Sequence, residues 1–148
     1  MRGYLTILVL ATVMGSTAYA TDQSFNVTMK LRAPIVLTEV TPLVFPDQTT
    51  GTAQDITVVT RDAGAASFTA TGGRNRSIAR SVVESSINMD AGIRGDNIAV
   101  DTFVLGGPTA FDGGGNITGL KVGAGAHILA TNPDGDYTGT ATLRIVYN

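Results

Sequence analysis

Cysteine and tryptophan are absent from this 148-residue chain, and histidine occurs once. Without cysteine there is neither a disulfide frame nor a thiolate metal site, so a stable domain must rest on its core and its backbone hydrogen bonds. Charge is sparse, at 15% of residues, and falls slightly on the acidic side. Such a balance does not suit nucleic acid as a partner. Long apolar runs are missing too, except at the very start. There, Arg2 precedes the apolar stretch Tyr4 to Met14, and Ala18-Tyr19-Ala20 has the small-x-small form of a cleavage site. That pattern predicts a secretory signal peptide over 1–20, too short in its apolar part to span a bilayer. Cleavage after Ala20 leaves residues 21–148 as a single domain with nine basic and twelve acidic residues. The mature product is expected to be exported, with no transmembrane segment.

What is plentiful is glycine, with 18 residues, together with threonine and short alternating apolar stretches. Successive side chains of a strand point to opposite faces, so strict alternation marks a half-buried strand. Ser24–Arg32 alternates Phe25, Val27, Met29 and Leu31 with Asn26, Thr28, Lys30 and Arg32, and reads as a long amphipathic strand ended by Pro34. Ile35–Val40 follows as a second strand, and Leu43–Phe45 as a short strand or edge between Pro42 and Pro46. Asp55–Thr60, Ala66–Thr71 and Asn97–Leu105 read as strands. Ser77–Asn88 suits a helix or two short strands, and its β-branched residues favour the strands. Leu120–Val122 and Ala126–Ala130 are expected as two short strands separated by Gly123-Ala-Gly125. The last strand is expected from Thr140, with Ala141, Leu143, Ile145 and Tyr147 on one face, after a turn in which Gly135 supplies positive φ. The fold class is all-β, a sandwich or barrel of short, mostly antiparallel strands.

No catalytic constellation emerges. His127 lies in the apolar run Ala126–Ala130 with no distinctive nucleophile or orienting carboxylate nearby in sequence, and reads as structural or surface. Asp112, Asp134 and Asp136 sit beside glycines as turn residues do, without a calcium-loop pattern. Gly113-Gly-Gly115 lacks the lysine and the following helix of a phosphate loop. Arg74, Arg76 and Arg80 are a candidate anion or glycan patch, read here as a solvated loop. The chain is therefore expected not to be an enzyme and to use no cofactor or metal.

Most of the mature chain resembles a bacterial secreted family, domain of unknown function 4402. The resemblance is carried by Pro34, Ile35, Leu43 and Phe45, by Leu120-Lys-Val-Gly123, and by Tyr137-Thr-Gly139 with Tyr147. It implies an immunoglobulin-like or pilin-like β-sandwich and supplies no activity. A second resemblance is to subunits of chaperone–usher pili, in the alternating N-terminal set Phe25, Val27, Met29 and Leu31, in Gly135 fourteenth from the end, and in the penultimate Tyr147. Many such subunits carry a disulfide, which this chain lacks. The resemblance implies a sandwich lacking one strand, whose groove, lined by the strand of Leu143, Ile145 and Tyr147, takes a neighbour's extension. It implies as partners further copies or other filament subunits, a periplasmic chaperone and an usher, and a path from periplasm to cell surface in a Gram-negative bacterium. Two alternatives stand beside it. Ser24–Arg32 could be the first strand of a self-complete sandwich, and the protein a monomeric exported module binding a glycan or surface ligand.

Overall fold

The computed structural model describes residues 21–92 and 97–148; the expected leader over 1–20 lies outside them. Two units separate, Met1–Lys30 and Leu31–Asn148. In the first, the described residues 21–30 form no strand and are exposed. The second is an all-β sandwich.

Among the described residues the strands are β1 (Val36–Thr41), β2 (Gln54–Val58), β3 (Ala66–Thr71), β4 (Ile78–Val82), β5 (Ile87–Met89), β6 (Ile98–Gly106), β7 (Asn116–Ile128) and β8 (Leu143–Tyr147). The larger sheet runs β1-β3-β7-β6-β5, with β2 also on β7, and the smaller is β4-β8. All pairings are antiparallel. The ambiguous segment after Ser77 resolves into β4 and β5, in line with its β-branched content.

Four expected strands come out differently. Residues 24–32 form no strand at all: their alternation would suit a sheet face, but they have no ladder. Leu43–Phe45 forms none either, because Pro42 and Pro46 have no N–H to give; Val44 N–H donates instead to Gly64 O at 2.8 Å. The two short strands around Gly123-Ala-Gly125 are one continuous strand, β7. It is the central strand, taking β3 over 116–122 and β2 over 124–128 on one side and β6 on the other. Gly123 sits where β3 hands over to β2. A Cβ there would stand 2.2 Å from Val58 O, so the glycine permits a close backbone approach and does not end the strand.

The core is divided. One cluster joins Ala70, Ile78, Phe111, Ile117 and Leu120, with Ile145 and Tyr147 of β8 packed against it. The other joins Ile98, Val100, Ala124 and Ala126, with Leu43, Phe45, Met89 and Tyr137 against it.

Candidate functional site

Between these clusters the sandwich is open. Phe68, Val100, Val122 and Leu143 face a cavity of about 280 Å³, walled on one side by Glu39, Pro42, Leu43 and Phe45 and on the other by Gly139–Ala141. A larger cavity of about 590 Å³ shares Leu43, Phe45 and Met89 with it and extends to the Asn132–Tyr137 turn. The smaller cavity is lined mainly by apolar side chains, and the larger mixes apolar and polar ones, so the two make one groove-like opening only along the residues they share. Residues of five strands that pair on one side only, β1, β2, β4, β5 and β8, line the two cavities. β1 pairs only with β3, and β8 only with β4, so each leaves a row of main-chain groups without a ladder among the described strands.

On β8, Leu143, Ile145 and Tyr147 are half-buried and face inward, while Arg144 and Val146 are exposed. Ladder pairing starts at Leu143, not Thr140, and Ala141 is exposed at the groove wall. Just before it, Val83 N–H donates to Thr142 O and Thr142 N–H to Glu84 Oε2. The latter bond holds the Glu84 carboxyl below its usual range.

Tyr147 anchors the far end of β8. Its hydroxyl accepts from Gly73 N–H at 2.6 Å and donates to Ala33 O at 2.9 Å, and its ring lies 5.8 Å from that of Phe111. The Arg32 guanidinium stands 5.5 Å from the ring centre. A Cβ on Gly72 would meet both Phe111 and the Tyr147 hydroxyl at 2.6 Å, so this corner needs glycine.

Gly135 lies at an exposed bend lining the larger cavity, but without the expected positive φ. Here the turn is closed by side chains instead. Asn132 Oδ1 accepts from Leu129 N–H at 2.6 Å, Asn132 N–H donates back to Leu129 O, and Tyr137 OH donates to Pro133 O.

Phe25, Val27, Met29 and Leu31 are 83, 82, 88 and 89% exposed.

The structure also assembles a group that sequence reading missed. His127 faces outward from β7 between Asp55 of β2 and Asp101 of β6, with Nδ1 2.7 Å from one carboxylate and Nε2 3.0 Å from the other. The hydrogen bond to Asp101, then that to Asp55, pushes the imidazole above its ordinary value. Asp101 is pushed down, by the Thr102 hydroxyl first and by His127 next. Both ring nitrogens are engaged, so the trio ties β2, β7 and β6 together. Asp112 Oδ1 accepts from Gly114 and Asn116 N–H, the latter chiefly lowering its carboxyl, as a turn residue does. Arg80 donates to Gly106 O at 2.6 Å, apart from the turn that holds Arg74 and Arg76.

No curated protein and no solved structure gives a match to this chain. One family model does match, over residues 38–147, so that all eight strands save the first two residues of β1 fall within it, and segment 24–32, with Pro34 and Ile35, falls before it. The chain belongs to the family described as a domain of unknown function, DUF4402.

Proposed function

We propose that this protein is an exported structural subunit of a bacterial surface filament, assembled by insertion of the Phe25–Leu31 strand of one copy into the groove of another. One observation carries the reading: four alternating large apolar side chains, all more than four-fifths exposed, belong to a chain whose own sandwich has a cavity lined largely by apolar side chains, with β1 and β8 among the lining strands that pair on one side only. Exposed apolar groups in such number are uncommon on a monomer unless they have a partner. Burying the four would contribute up to about 6–12 kcal/mol at roughly 1.5–3 each, with main-chain bonds to an open edge in addition. A periplasmic chaperone would cover the same groove before assembly, and an usher would order the exchange.

The test is a single charge in the inserted face. Val27→Asp or Met29→Asp should leave export intact and abolish SDS-resistant polymers in the export fraction. Polymers formed at the parent level would refute strand exchange, and the monomeric binding module would take its place.

A further inference from the structure

One arrangement on the large sheet depends on a proton. His127 of β7 lies between two carboxylates, with Nδ1 2.7 Å from Asp55 Oδ1 on β2 and Nε2 3.0 Å from Asp101 Oδ1 on β6. An ionised carboxylate only accepts hydrogen bonds, and a neutral imidazole has a single N–H to give. Only the imidazolium satisfies both contacts at once. The neutral ring, in either tautomer, turns a lone pair toward one of the two carboxylates.

The sheet is shaped to hold Asp101 in this contact. β6 bulges between Asp101 and Val104, and Thr102 in the bulge has a φ of 51°, a strained conformation for a β-branched residue. The Thr102 hydroxyl donates to Asp101 Oδ1, the same oxygen that meets His127. Gly125, opposite Asp101, leaves the room, since a Cβ there would stand 3.1 Å from Thr102 Oγ1. The Asp55 side chain is 79% exposed and that of Asp101 41%, so water replaces the histidine more readily at Asp55.

We propose that the trio is a latch on β2, closed while His127 is protonated and released when the ring loses its proton, so that the Gln54–Ile56 end of β2 lifts from β7. The neutral ring keeps its N–H on Asp101 and turns the Nδ1 lone pair to Asp55. β2 pairs with β7 alone among the described strands, and Asp55 opposite His127 is the second rung of that ladder. At the other end Val58 is buried, with Gly123 close against its carbonyl, so release begins at Gln54. Ile56, Ala126 and Ile128, which alternate with Asp55 and His127, line the larger cavity. Lifting this end opens the cavity wall and leaves the β7 edge over 126–128 unpaired on that side. The latch does not depend on strand exchange.

The charged groups facing the ring are Asp55 from β2 and Asp101 from β6. β5 places the uncharged Asn88 opposite Ala99, which is itself opposite His127. Lys121, also on β7, is six residues away, roughly 20 Å along the strand. The hydrogen bond to Asp101, then that to Asp55, raises the imidazole above its ordinary 6.5. The latch is therefore fully closed below 6.5 and opens as pH rises through the raised value.

Amide hydrogen exchange of the mature chain, followed by NMR, tests this. Rates are expressed as protection factors, which removes the pH dependence of exchange itself. His127 is the single histidine, so its ring signals give the titration in the same samples. Protection over 54–56 and 126–128 should fall about fivefold as pH rises through the His127 midpoint, the upper range for one exposed ion pair, while the β3 rungs Ala66–Phe68 keep theirs. Asp55→Asn supplies an N–H for the Nδ1 lone pair, so β2 should stay protected across the same range. His127→Gln should show no step at any pH. Absence of a step in the parent, a step away from the His127 midpoint, one shared equally by β3, or one that survives Asp55→Asn would overturn the latch.

Discussion

Gly123→Ala puts the central strand to a quantitative test. A Cβ at this position would stand 2.2 Å from Val58 O, where ordinary contact begins at 3.4 Å, with Val59 C and Thr60 N also within 3.2 Å. The obstacle is backbone, and it adjoins the last rung of the β2–β7 ladder, Val58 opposite Ala124. It cannot swing aside as a side-chain tip would. Overpacking of this kind costs about 1–3 kcal/mol, here at the upper end, against roughly 0.5–1 regained because alanine has less freedom in the unfolded chain. The expected net loss is about 2 kcal/mol. Gly113→Ala is the matched control: its nearest neighbour is Asn75 Oδ1 at 3.9 Å and its φ is not positive, so it should be neutral or stabilising by up to about 1 kcal/mol. Urea unfolding of the mature chain reads both. The midpoint of Gly123→Ala should fall with its slope unchanged, and a changed slope would mean that β2 had detached. Equal midpoints for the two variants would refute the argument that the glycine exists for close approach.

Two further outcomes are expected. Tyr147→Phe removes a hydroxyl that bonds both Gly73 and Ala33, and should cost about 1–2 kcal/mol in the same unfolding assay; an unchanged midpoint would show that this corner is held by ring packing alone. His127→Gln should matter in a defined pH window. The imidazole is raised above 6.5, so its contribution is complete below that value and fades as pH climbs through the raised one; Asp101 is lowered from 3.8, so its share is present above that value and fades as pH falls through the lowered one. The melting-temperature gap between parent and variant should therefore be widest between those limits and shrink at alkaline pH, and a gap independent of pH would refute the ion-paired trio.

The strands that sequence reading located well are those whose pattern is local. Ala66–Thr71 falls on the expected residues, and the inward set Leu143, Ile145, Tyr147 keeps its face, because alternation alone decides which side chains share a surface. Gly123 and Gly125 misled it because a glycine that ends a strand and one that admits a neighbouring backbone are identical in sequence. Asp55, Asp101 and His127 each lie on a segment read as a strand, but they are up to 72 positions apart, and only the pairing of β2 and β6 on β7 brings them together. Asn132 gave no signal at all, since an amide in an Asn-Pro-Asp-Gly turn looks like ordinary turn chemistry until its burial is known.

By itself, then, the sequence determined the all-β class and the amphipathic character of segment 24–32, both consequences of nearest-neighbour geometry along the chain. Tertiary structure alone decided that the segment makes no strand in the described chain, that β1 and β8 each keep an unpaired side beside a divided core, and that His127 meets two carboxylates from other strands. Those features depend on which strands pair and in what register, and pairing is a relation between residues far apart in the chain, settled by the burial of the whole core.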